Sequence, residues 1–115
     1  MGIRPTTLRT FALGLPEAEE RETWETATFR VHDKIFLMFS ERERHAWFKA
    51  TFDEQQALVA EDPAAFFVPP YVGPKGWVGA VLSAAPGDEV RELTVEAWRL
   101  TAPKRLVVVF DEGTS

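Results

Sequence analysis

Apolar and polar residues alternate with a period of two through residues 27–31 and again through 44–50, and an apolar run fills 35–39, which predicts the strands of a central sheet. Residues 27–31 and 35–39 read as the arms of a β-hairpin, and the length of the loop decides which side chains share a face. A three-residue loop, His32-Asp33-Lys34, sets residue 31 against 35 and residue 29 against 37. Phe29, Val31, Ile35, Leu37 and Phe39 then all point one way. A two-residue loop would split that set and put Lys34 beside Val31. The expectation is therefore the longer loop, with Asp33 or Lys34 left-handed, Arg30 pointing outward and Lys34 at the tip. After a polar turn at Ser40-Glu41-Arg42-Glu43, a third strand over roughly Arg44 to Ala50 puts Ala46, Phe48 and Ala50 on one face. His45, Trp47 and Lys49 take the other. Trp77 to Leu82 reads as a fourth strand.

The helical period appears in three places. Pro5 with Thr6 or Thr7 offers a start, Leu8, Phe11 and Ala12 share a face, and Gly14 and Pro16 stop the helix. Thr51-Phe52-Asp53-Glu54 has the capping-box pattern, so a second helix runs from there to about Asp62, anchored by Leu58 and Val59 and ended by Pro63. Asp88 caps a third, whose apolar positions are Val90, Leu93, Ala97 and Leu100, and Pro103 closes it. Between these lie the acidic stretch from Glu17, read as a connector toward a strand near Thr23, and the run Phe66 to Gly76. Three prolines and two glycines in that run forbid regular structure over most of its length, leaving an ordered aromatic loop. Val107-Val108-Val109-Phe110 has strong β propensity and reads as an edge strand, a dimer contact or a tail packed over the core. Residues 111–115 are expected to form a flexible tail. The fold class is α+β, an antiparallel sheet of four to five strands with helices packed on one face, in a single domain over residues 1–115.

Composition narrows the chemistry. The 115 residues are enough for one core, and four Trp and nine Phe supply bulk to fill it. There is no cysteine, which removes disulfides, thiolate nucleophiles and thiolate metal sites. No apolar run reaches the length of a membrane span, and no signal-peptide pattern opens the chain, so a cytoplasmic protein with no membrane partner is expected. The net charge of −5 argues against a strong non-specific polyanion binder. Most of it is local, because Glu17, Glu19, Glu20, Glu22 and Glu25 face Arg21 alone and the remainder of the chain carries a net charge of only −1.

His32 and His45 lie thirteen positions apart, without the spacing of a ligand pair, and read as surface histidines. The acidic run lacks the alternating Asp/Asn ligands and central Gly of a calcium loop. No Gly-x-Ser-x-Gly elbow or phosphate loop is present, and Gly73-Pro74-Lys75-Gly76 is too short and precedes a strand. No catalytic residue, metal or cofactor is expected. The basic residues offer more. Arg30 and Lys34 share the hairpin, Lys49 follows on a nearby strand, Lys75 lies in the Pro/Gly loop beside Trp77, and Lys104 and Arg105 follow the last helix. Such side chains on hairpins and loops suit phosphate contacts. Scattered surface cations are also what any such domain displays, and Trp47 and Trp77 read equally as core.

Three segments in order carry a resemblance: Trp24 to Phe36, containing Phe29-Arg30-Val31 and Lys34-Ile35-Phe36; Gly73-Pro74-Lys75-Gly76-Trp77-Val78; and Ala97-Trp98-Arg99-Leu100-Thr101-Ala102-Pro103-Lys104-Arg105-Leu106. With Leu15-Pro16-Glu17 before them, the chain resembles the MmcQ/YjbR family of small bacterial proteins over roughly Leu15 to Leu106. The resemblance implies an α+β fold of double-wing type, related to the frataxin-like (CyaY) topology, and a non-enzymatic DNA-binding protein without a cofactor. No family binding residues are carried over; Arg30, Lys34, Lys49, Lys75, Trp77, Lys104 and Arg105 are candidates on charge and exposure. The expected wings are hairpin 29–37 and loop 69–76. Two alternatives stand beside this: a module that binds a protein or small ligand through the aromatic loop 66–77, and frataxin-like metal binding through Glu17 to Glu25. A monomer is expected.

Overall fold

The hairpin sets the phase of the whole sheet, and it is built differently from the expectation. In the computed structural model, which describes residues 2–23, 26–40, 42 and 44–113, strand β2 (Thr26–Val31) turns into β3 (Lys34–Ser40) through two residues only. His32 and Asp33 both have positive φ, 50° and 66°, the backbone of the turn whose twist matches a two-residue hairpin. Val31 therefore pairs with Lys34 and Arg30 with Ile35, the pairing the sequence argued against. The next pair is Phe29 with Leu37, so β3 advances two residues while β2 advances one. Phe36 is the extra residue of a β-bulge. Phe36, Leu37 and Phe39 are all buried, and Ile35 falls on the opposite face, beside Arg30.

Six strands form one antiparallel sheet in the order β1-β2-β3-β4-β6-β5, with β1 Ala18–Thr23, β4 His45–Phe48, β5 Phe66–Phe67 and β6 Val78–Val81. The count is one above the expected four to five. The acidic connector is in fact edge strand β1, paired with β2 along its full length. Its charges are compatible with a strand because an edge needs no apolar partner on both sides, and they are neutralised locally: Arg9 bonds Glu20 at 3.1 Å, and Arg21 bonds Asp33 at 2.6 Å. Strand β5, the other edge, is two residues long and is followed by Pro69 and Pro70. Trp24 and Glu25 of the resemblance and Glu41 and Glu43 of the polar turn lie outside the described residues, as do residues 114–115.

Helices α1 (Pro5–Leu13), α2 (Phe52–Glu61), α3 (Gly87–Thr101) and α4 (Lys104–Gly113) cover one face. One buried cluster joins Leu8, Ala12, Val90, Leu93, Ala97 and Trp98 from the helices to Ala27, Phe29, Leu37, Phe39, Ala46, Phe48, Phe66, Val78 and Ala80 from the sheet. The α3 start differs in detail from expectation. Pro86 occupies the N-cap and Asp88 sits in the first turn, 3.7 Å from Arg91. Leu100 is exposed, and Trp98 and Thr101 fill the core-facing positions instead.

Val107 to Phe110, with its β propensity, and Asp111 to Gly113, expected as tail, form most of α4. Tertiary contacts decide the matter, as they often do for short β-branched runs. Leu106, Val107 and Phe110 lie on one helical face against the core, the Phe110 ring is 5.1 Å from Trp98, and Arg99 stacks over Phe110 while bonding Asp111 at 2.8 Å. Trp98 also donates its indole N–H to the Pro16 carbonyl at 3.0 Å, tying the chain before β1 to the helical layer. Among the described residues no helix is long and apolar enough to cross a membrane.

The loop after β5 is fixed from α2. Thr51 caps α2, its hydroxyl accepting from the Glu54 amide, and Gln55 is buried inside the first turn. The Gln55 amide donates to the Gly73 carbonyl at 2.9 Å and the Trp77 carbonyl at 2.6 Å, on either side of the short 3-10 turn Gly73–Lys75. Gln55→Leu leaves both carbonyls without that donor, and we expect a loss of about 2–4 kcal/mol in denaturant unfolding with new protease cleavage between residues 69 and 76. Glu54, next to it, is partly buried, and that burial, with the nearby Glu96 second, pushes its carboxyl up from the usual 4.5. The folded protein then holds this proton more tightly than the unfolded chain, so the favourable contribution is full below about pH 4.5 and is lost as pH rises through the folded-state value. Glu54→Gln should raise the Tm at neutral pH and converge with the parent in acid; a Tm-versus-pH series on both proteins checks it.

Candidate functional site

The face of the sheet away from the helices is uncovered, and strand parity determines what it displays. The outward positions of β2 to β6 follow from the pairings: Thr26, Thr28 and Arg30 on β2, Ile35, Met38 and Ser40 on β3, His45 and Trp47 on β4 with Lys49 beyond it, Gly79 and Val81 on β6, and Phe67 on β5. The apolar members, Ile35, Met38, Trp47, Phe67 and Val81, are half-buried and take no part in the core cluster. None of these positions is acidic, in a chain with 18 Asp and Glu. On β1 the outward Glu19 lies 3.7 Å from Arg21.

Two rows cross this face. One runs Thr28, Met38, Trp47, Gly79, Phe67. Gly79 is required there, because a Cβ would fall 2.4 Å from the Phe67 ring, which lies across the glycine and stands 5.1 Å from the His45 ring. The parallel row runs Arg30, Ile35, Lys49, with the Lys49 amide bonded to the Phe36 carbonyl at 3.0 Å. Arg30 and Lys49 are two strands apart, about 10 Å at the backbone. The Arg30 guanidinium is steadied by the Thr28 hydroxyl at 3.2 Å.

The candidate cations divide accordingly. Lys34 sits at the hairpin turn, exposed, at the same end of the sheet as Arg30 and Lys49. Lys75 is exposed in the 3-10 turn, and the adjoining Gly76, with φ 94°, lies against the backbone of Ala50 and Thr51 just past Lys49. Arg30, Lys34, Lys49 and Lys75 thus gather at one end of the sheet, and none makes an ion pair among the described residues. Arg21, Arg91 and Arg99, by contrast, each lie within 4 Å of a carboxylate. Lys104 and Arg105 open α4 in the helical layer, on the far side of the sheet. Trp77 is 8% exposed yet outside the core cluster, so it supports this end of the sheet and offers no free ring. The sequence reading missed Phe67 and Met38. Phe67 was hidden in a segment read as loop, whereas the outward parity of Met38 was already implied by the inward Leu37 and Phe39.

The alternatives find less. Among the described residues no three His, Asp or Glu side chains gather to hold a metal. As a strand, β1 sends Glu19 and Glu20 to opposite faces, and Glu17 bonds His32 at 2.8 Å. In the aromatic loop Tyr71 is 87% and Val68 51% exposed, while Phe66, Pro69 and Trp77 are buried.

A family model described as YjbR matches residues 13–100. Among solved structures the chain is similar to the crystal structure of Deinococcus radiodurans protein DR2400, a DUF419 domain, with a TM-score of 0.76 and 19% identity over 83% of this chain and 75% of that one. That likeness shows the fold. No curated protein matches the chain. Gly79→Ala must push the Phe67 ring off its seat. We expect a cost of about 1–3 kcal/mol in unfolding and a displaced His45 imidazole resonance by NMR, with the remaining spectrum conserved.

Proposed function

Since the chain belongs to the YjbR family, we propose that it is a non-enzymatic DNA-binding protein that holds phosphates through Arg30, Lys34, Lys49 and Lys75. The observation that carries this reading is the segregation of charge: the uncovered face from β2 to β6 holds no carboxylate, Arg30 and Lys49 stand on it at one end, and Lys34 and Lys75 are exposed in the turns adjoining that end, none of the four with an ion pair among the described residues. Phosphate oxygens supply the partners these cations lack within the described residues. The hairpin tip with Lys34 and the 3-10 turn with Lys75 flank the Arg30–Lys49 row as the two wings. A docking module for a protein or small ligand would be consistent with the exposed Tyr71 and Val68, but it predicts dispersed cations, and these are grouped.

Labelled random-sequence DNA, as duplex and as separated strands, tests this by anisotropy across a salt series. Four phosphate contacts give a log–log salt slope of about −3 to −4. The Arg30→Glu, Lys34→Glu, Lys49→Glu, Lys75→Glu variant is expected to lose binding with its Tm retained, whereas Lys104→Glu, Arg105→Glu binds as the parent does. Absence of binding to either form at low salt overturns the reading.

A further inference from the structure

We propose that the nucleic acid this face accepts is single-stranded, with bases stacked on Trp47 and Phe67 and the backbone running along Arg30 and Lys49. The inference rests on the DNA-binding reading above and narrows it to a substrate class.

Its first ground is size. Six strands at about 4.8 Å spacing make a face some 24 Å wide, twice the ~12 Å of a B-DNA major groove. The face itself therefore cannot enter a duplex groove, and the four helices are committed to the opposite layer. A single strand needs no groove-sized projection and can lie across a broad surface.

The second ground is the pairing of chemistries. Adjacent parallel rows carry aromatic rings and cations: Trp47 and Phe67 in one, Arg30 and Lys49 in the other. A stacking surface beside a basic track is what a polyanion with exposed base faces requires, and in a duplex those base faces are already stacked on each other. Trp47, on inner strand β4, and Phe67, on edge strand β5, are half-buried on the sheet's solvent face and lie outside the core cluster that Phe29 and Phe48 build below them. Gly79 between Trp47 and Phe67 leaves that row without a side chain at its middle, and its space is taken by the Phe67 ring itself.

A third ground is what the edges exclude. The charged β1 and the two-residue β5 offer poor templates for adding a strand, so a peptide partner has no ready edge.

The experiment compares a thymidine oligomer of about 15 nucleotides, its uridine counterpart and a duplex of the same length. Each is titrated into the protein, with anisotropy and intrinsic Trp fluorescence both read. A single strand should bind at least about tenfold tighter than the duplex and quench fluorescence. Trp47→Ala should lose about tenfold or more for the single strand while changing duplex affinity little. Trp47→Phe keeps a stacking ring, so it should retain binding but lose the quenching, which keeps the test valid if the alanine variant fails to fold. The DNA and RNA arms separate the two sources of the same chemistry. Duplex binding equal to or tighter than single-strand binding, or a Trp47→Phe variant quenched as the parent is, overturns the inference and leaves the phosphate-binding reading intact. No binding to any of the three overturns both.

Discussion

One extra residue, Phe36, keeps the sheet in phase. A two-residue turn forces strict pairing of Val31 with Lys34, and continued without interruption it would set Phe29 against Phe36 and send Leu37 and Phe39 to solvent. The bulge absorbs one residue, so that Phe36 and Leu37 both enter the core opposite Phe29. Every later register inherits that correction: Leu37 meets Phe48, Phe39 meets Ala46, and Phe48 and Ala46 meet Val78 and Ala80. The turn bears a strain of its own, since His32 and Asp33 are both left-handed at roughly 1–2 kcal/mol each. Both are tethered to the chain at β1, His32 through Glu17 and Asp33 through Arg21. The acidic edge therefore holds the turn that sets the phase.

The alternation at residues 44–50, the capping box at Thr51 and the periodicity of α1 to α3 were legible in the sequence because each is a local rule obeyed locally. What escaped was decided at a distance. The three-residue loop failed because counting faces along one hairpin has two solutions, a longer loop or a shorter loop with a bulge, and they bury nearly the same residues. Strand β1 failed because its pairing partner, not its own pattern, makes it a strand. Helix α4 failed because the Trp98 ring and the Arg99 side chain, several residues earlier, determine how Val107 to Phe110 fold. The grouping of Arg30, Lys49 and Lys75 was visible only as a list of charges until the register placed them.

The segments that carry the family resemblance turn out to secure the fold. Leu15 is buried, Pro16 receives the Trp98 indole, Arg99 grips α4, Lys34-Ile35-Phe36 leads into the bulge, and Gly76-Trp77-Val78 follows the turn that Gln55 holds. A resemblance built on such positions identifies an architecture strongly and a ligand weakly. The outward positions of the sheet are the ones packing leaves free, and their composition is the better witness to use. On β2 to β6 the chain places aromatic, hydroxyl and basic residues there and withholds acids.

A net charge of −5 does not oppose a polyanion uniformly over the molecule. Half of the carboxylates belong to the helices, whose solvent side stands about 15–20 Å from the open face, a sheet-to-helix spacing plus part of a helix diameter, while Glu19 of β1, opposite Arg30, lies 3.7 Å from Arg21. The Debye length at physiological salt is about 8 Å, so solvent-exposed charges at that distance are largely screened from a ligand on the open face. Arg30, Lys49 and Lys75 would lie within contact distance of it and are not. Lowering the salt strengthens the near attraction, but it also lengthens the reach of the distant acids. Affinity should therefore rise less steeply toward very low salt than cation count alone implies, a curvature that separates a segregated acidic protein from a uniformly basic one.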